Sequence, residues 1–126
     1  MANFNTTLRW TADVGSNNEK VTYTLDKTIT EGGLQKRKIT GTSRGAGTTI
    51  VPNATISAGT YLIAKNMDST ITNYIIISQN GVDVIRLSGG ASGTGDFAVL
   101  PLHMGHDILA HSTAGTEILE WATYEV

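Results

Sequence analysis

The stretch Tyr74-Ile75-Ile76-Ile77-Ser78-Gln79-Asn80-Gly81-Val82-Asp83-Val84-Ile85-Arg86-Leu87 decides the fold class. Asn80-Gly81 sits between two β-rich runs and fits the two-residue type I′ hairpin turn, whose central residues both need φ > 0. Such a turn makes Gln79 face Val82, Ser78 face Asp83, Ile77 face Val84, Ile76 face Ile85, Ile75 face Arg86 and Tyr74 face Leu87. Successive residues of a strand point to opposite faces, so Ile75, Ile77, Val82 and Val84 share one face and Tyr74, Ile76, Ile85 and Leu87 the other. Both faces read as apolar. A peripheral hairpin keeps one polar, wet face, so this one is either covered on both sides by its own chain or packed against another subunit. Tyr74, Ile76, Ile85 and Leu87 are therefore interface candidates.

The same alternation recurs along the chain. Val21, Tyr23 and Leu25 alternate with Thr22, Thr24 and Asp26, and further strand-like runs cover 7–12, 34–42, 60–66, 72–79, 82–87, 96–102, 107–111 and 116–126. Gly-rich punctuation separates them, most heavily at Ser88-Gly89-Gly90-Ala91-Ser92-Gly93-Thr94-Gly95. No window of helical length carries apolar residues at i, i+3, i+4 and i+7 behind a capping box. About nine short strands with negligible helix predict an antiparallel β-sandwich, jelly-roll-like. The expectation is a single domain over 1–126, with 1–59 contributing extended docking segments.

Composition narrows the function by exclusion. The chain has 126 residues, 9 Lys+Arg against 11 Asp+Glu, and no Cys. Disulfide staples, Cys-ligated metal and thiol nucleophiles are ruled out, and a formal charge of −2 argues against a general nucleic-acid binder. The N-terminal residues carry neither the basic start nor the apolar run of a secretory signal. The longest strongly apolar stretch, Tyr74-Ile75-Ile76-Ile77, falls far short of the ~20 residues that span a bilayer. Charge is uneven: residues 1–65 sum to +4 and residues 66–126 to −6. Opposed patches of this kind give register and on-rate to subunit or partner docking.

Candidate chemistry is thin. His103, His106 and His111, with Asp107 between them, are the only candidate metal ligands, and their spacing is that of no zinc motif. Gln35-Lys36-Arg37-Lys38 is the one basic run, suited to an anionic surface or to a charged sheet edge, with Lys36, Arg37 and Lys38 as interface candidates. The glycine-rich 88–95 segment lacks the Lys-Ser/Thr ending of a phosphate loop and precedes a strand, so it reads as a flexible loop or docking arm. Ser57 and Ser112 lack a nucleophile-elbow setting. Glu117, Glu120 and Glu125 resemble a glycosidase pair only in composition. Trp10, Tyr23, Tyr61, Tyr74, Trp121 and Tyr124 suit core packing or a sugar-stacking platform. No catalytic residue and no cofactor are expected.

Tyr61-Leu62-Ile63-Ala64-Lys65-Asn66, Tyr74-Ile75-Ile76-Ile77-Ser78, Phe97-Ala98-Val99-Leu100-Pro101-Leu102, Ile108-Leu109-Ala110-His111 and Glu117-Ile118-Leu119-Glu120 carry a resemblance. In strand order and residue character, 60–126 resembles the small all-β structural proteins encoded among the virion genes of tailed bacteriophages. The resemblance implies a non-enzymatic virion component made in the host cytoplasm. It would be a capsid decoration (cement) protein bound to the major capsid protein as a homo-oligomer, with a trimer favoured, or else a tail or baseplate subunit. It implies no direct contact with nucleic acid or membrane. A carbohydrate- or receptor-binding module is the rival from another class, and a small hydrolase a more remote one.

Overall fold

The computed structural model describes residues 34–125 in full and residues 2–14, 17–29 and 31–33 as backbone strands. Ten strands run in chain order: β1 Ala2–Val14, β2 Asn17–Ile29, β3 Glu31–Lys38, β4 Thr48–Val51, β5 Thr60–Asn66, β6 Tyr74–Gln79, β7 Val82–Ser88, β8 Phe97–Pro101, β9 Ile108–Ser112 and β10 Ile118–Glu125. Eight of them, not nine, form two antiparallel four-stranded sheets, ordered β3-β10-β5-β8 and β4-β9-β6-β7. Helix among the described residues is confined to three single 3-10 turns.

The topology follows from the Asn80-Gly81 turn. Asn80 and Gly81 take φ of 52° and 72°, as a type I′ turn demands. Around that turn β6 pairs with β7, β5 with β8, β4 with β9 and β3 with β10, all antiparallel. The sandwich is thus one long hairpin rolled on itself, and the pairings β5 with β10 and β6 with β9 close the roll. This is the jelly-roll arrangement. Ile39, Leu62, Ile75, Ile77, Leu87 and Leu119 lie fully buried between the sheets.

Within the 1–59 span expected to supply extended docking segments, Thr48–Val51 forms a short strand, β4, with Ile50 and Val51 buried. Four residues bounded by Gly47 and Pro52 were too few to show a period. Conversely, the runs 7–12 and 21–25 lie in β1 and β2, which pair with each other and with neither sandwich sheet.

Among the described residues, three side chains tie one sheet to the other. Asn66 Nδ2 on β5 donates to the Leu87 carbonyl on β7 at 2.9 Å. Trp121 Nε1 on β10 donates to the Ile50 carbonyl on β4 at 3.2 Å. Ser112 Oγ on β9 donates to the carbonyl of Ile39, just past β3, at 2.7 Å.

Candidate functional site

The hairpin that framed the sequence reading has a different register from the expected one. Ser78 faces Asp83, but Ile77 faces Ile85, Ile75 faces Leu87 and Tyr74 faces Ser88, because a bulge at Val84 inserts one unpaired residue. The shift moves Ile85 and Leu87 to the core side with Ile75 and Ile77. Leu87 is fully buried there and Ile85 packs partly buried against the same core. In the unbulged register Arg86 would have sat opposite Ile75, with a charge facing the core. The bulge places it opposite Ile76, with its guanidinium 4.3 Å from the centre of the Tyr74 ring. Tyr74 and Ile76 remain on the outer face, half-buried. That face is mixed rather than apolar, which corrects the expectation of a doubly apolar hairpin.

The same outer face is crossed by an ion pair. Arg44 Nε donates to Asp83 Oδ1 at 3.0 Å, and this hydrogen bond holds the Asp83 carboxyl below its usual range. Arg44 belongs to the positive half of the sequence and Asp83 to the negative half, so the opposed charges meet within one molecule. His111 is buried on β9, and its Nδ1 lacks a hydrogen-bond partner among the described residues.

The other chemical candidates disperse. His103 and His106 are exposed, and their carbonyls accept from Gln79 Nε2 at 2.9 and 3.2 Å. Asp107 accepts from the Asn53 backbone N–H at 2.7 Å. No cluster of three metal-ligating side chains forms among the described residues.

Glu117 is fully buried and staples a turn. Its carboxylate accepts from the Ala114 and Thr116 N–H groups at 2.9 and 3.1 Å. Burial pushes that carboxyl up, but the Ser112 hydroxyl and the N–H groups of Glu117, Ala114 and Thr116 outweigh it and leave it below the usual range. A staple of this kind does structural work. Glu120 lies half-buried on the outer face of β10.

The glycine-rich 88–95 segment is pinned rather than free. Gly89 and Gly90 N–H groups donate to Asn73 and Asp68 carbonyls, and Ser88 N–H donates to Asp96 Oδ2 at 3.0 Å. A Cβ at Gly95 would collide with the Asn66 carbonyl oxygen. Glycine is needed there for close approach.

Lys36, Arg37 and Lys38 lie exposed on β3, an edge strand of its sheet. Lys36 and Lys38 share an outer face that sequence reasoning did not single out. Across the four strands the register aligns Leu34, Ala122, Ile63 and Val99 in one row and Lys36, Glu120, Lys65 and Phe97 in the next. Leu34 is 67% and Phe97 61% exposed. Between them runs an open groove of about 280 Å³. Its signal was present in the alternation of 60–66 and 97–101, but those odd positions become outer only once strand order is known.

The β1–β2 ribbon pairs Leu8 with Tyr23, Trp10 with Val21 and Thr6 with Leu25 in its backbone register. The aromatic positions of the chain are thus divided among the ribbon, both outer faces and the core. The sequence matches no protein-family model and no curated protein.

Proposed function

We propose that this chain is a non-enzymatic structural subunit of a bacteriophage particle, a decoration protein that binds across neighbouring copies of the major capsid protein and stabilises the closed shell. The observation that carries the reading is a jelly roll whose chain also forms a two-stranded ribbon, β1–β2, that pairs with neither of its sheets. The outer edges of that ribbon are left for strand pairing with a neighbouring chain. A protein that binds only the assembled shell stabilises it by mass action.

The resemblance of 60–126 to phage virion proteins supports the same reading. The outer face around Leu34, Ile63 and Phe97, flanked by Lys36 and Lys38, offers the shell an apolar centre with a charged rim. The test is to add purified protein to empty shells. Decoration with a raised shell melting temperature is expected, whereas failure to bind shells together with binding to a glycan array would overturn the reading in favour of a carbohydrate-binding module.

A further inference from the structure

Each sandwich sheet ends in two edge strands, β3 and β8 in one and β4 and β7 in the other. An open edge is a template for a further strand, and proteins protect it with lysines, proline, brevity or a bulge. β3 carries Lys36, Arg37 and Lys38 in the open, β8 ends at Pro101, and β4 has only 4 residues with a break in register. β7 is 7 residues long, and Val82 and Val84 along it are 62% and 54% exposed. Its two charges, Asp83 and Arg86, are of opposite sign, and its one irregularity is the bulge at Val84.

The backbone of β7 has groups to offer on its outer side. Ser88 stands opposite Tyr74 on β6, yet its N–H donates to Asp96 Oδ2 at 3.0 Å and its carbonyl accepts from the Asp96 N–H at 2.8 Å. Both groups therefore point away from β6, and by alternation so do those of Arg86. At the other end, the type I′ turn directs the Val82 N–H to the Gln79 carbonyl, so the N–H and carbonyl of Asp83 also point away. Asp83 and Arg86 can thus pair with a further strand, and Asp96 closes the edge at Ser88.

The bulge selects the occupant. On a regular strand, residues three apart would point to opposite faces. Here Asp83 stands opposite Ser78 and Arg86 opposite Ile76, so both side chains lie on the outer face. Two copies of β7 laid antiparallel about a two-fold axis between Val84 and Ile85 set Asp83 of each opposite Arg86 of the other. Both residues of each such pair present outward backbone groups, as a hydrogen-bonded antiparallel pair requires. Their opposite charges stabilise the pair, whereas registers that align Asp83 with Asp83 or Arg86 with Arg86 oppose like charges. Each copy has Val84 and Ile85 between the two pairs, so the bulges match, while a regular strand would lose register across them. Val82 falls opposite Leu87, and the ladder ends where Asp96 occupies Ser88. Asp83 uses only Oδ1 for Arg44, and Arg86 has no carboxylate partner among the described residues.

We propose that β7 is a self-pairing edge, through which two copies of this chain join their β4-β9-β6-β7 sheets into one continuous sheet. Sedimentation of the full-length chain should give a dimer at micromolar concentration, and hydrogen exchange of the Asp83 and Arg86 amides should slow as concentration rises. Arg86→Asp and Asp83→Lys each set like charges opposite one another twice, and each should raise the dissociation constant about tenfold or more. Both side chains are exposed, so circular dichroism should be unchanged. An equimolar mixture of the two variants restores both opposite-charge pairs and should dimerise like the wild type. A monomeric or trimeric wild type, a dimer whose Asp83 and Arg86 amides exchange as fast as the monomer's, single variants that dimerise as well as the wild type, or a mixture that stays monomeric would each overturn the arrangement. The contact does not depend on shell binding: a monomer that decorates shells would remove it and leave the proposed function standing, and a dimer that ignores shells would do the reverse.

Discussion

Asn66 on β5 and Leu87 on β7 lock the two sheets together at one edge, through the 2.9 Å hydrogen bond from Asn66 Nδ2 to the Leu87 carbonyl. Asn66 is fully buried, and it also donates to the Asn73 carbonyl at 3.0 Å and accepts from the Asp68 N–H at 2.9 Å. Each atom of its amide is used. Asn66→Ala removes the buried hydrogen bond to the Leu87 carbonyl and the part-buried bonds to the Asn73 carbonyl, which keeps the Gly89 N–H, and from the Asp68 N–H, so a loss of about 2–3 kcal/mol in unfolding free energy is expected from urea denaturation. A loss below about 1 kcal/mol would show that solvent reaches these groups.

Glu117 makes stability depend on acid. Its folded carboxyl sits below its unfolded value. The stabilisation is therefore present above the unfolded pKa, near 4.3, and is lost as pH falls through the folded value. The urea midpoint of the wild type should fall as pH drops below about 4.3. Glu117→Gln should lose about 2 kcal/mol at pH 7, the scale of hydrogen bonds to a charged group, and should show a shallower acid slope.

Two glycines should respond to alanine for different reasons. Gly81 has φ of 72° with open space around its missing Cβ, so Gly81→Ala costs about 1 kcal/mol of backbone strain. Gly95 has ordinary φ but no room, since a Cβ there would meet the Asn66 carbonyl oxygen. Gly95→Ala should destabilise more than Gly81→Ala in thermal melts, because backbone has to move.

Core and outer face should also separate. Leu62 is fully buried, so Leu62→Ala should cost about 2–5 kcal/mol. Phe97, 61% exposed, should tolerate serine with little change in melting temperature. If the outer face docks on a shell, Phe97→Ser and Leu34→Ser should weaken decoration while leaving circular dichroism unchanged.

Asn80-Gly81 and the alternation on either side of it determined the fold class and the centre of the roll, because turn conformation and period-two burial are local properties of the chain. The run Tyr61 to Asn66 likewise shows in sequence which residues share a face. What sequence could not supply was which face is inside. The bulge at Val84 inverted the assignment of Ile85, Arg86 and Leu87, since one inserted residue flips every side chain beyond it. Nor could sequence show that Glu117 is buried with the Ala114 and Thr116 N–H groups folded around its carboxylate.

The amphipathic pattern of β1 and β2 was equally visible in the sequence, but its separation from the sandwich depended on strand pairing. Sequence by itself determined an all-β chain turning at Asn80-Gly81, because those preferences act between neighbours. Only the tertiary structure decided that Leu34, Ile63 and Phe97 form an open outer face and that β1 and β2 pair with each other and with neither sandwich sheet. Those outcomes depend on long-range strand order, in which residues far apart in the chain compete for the same partners.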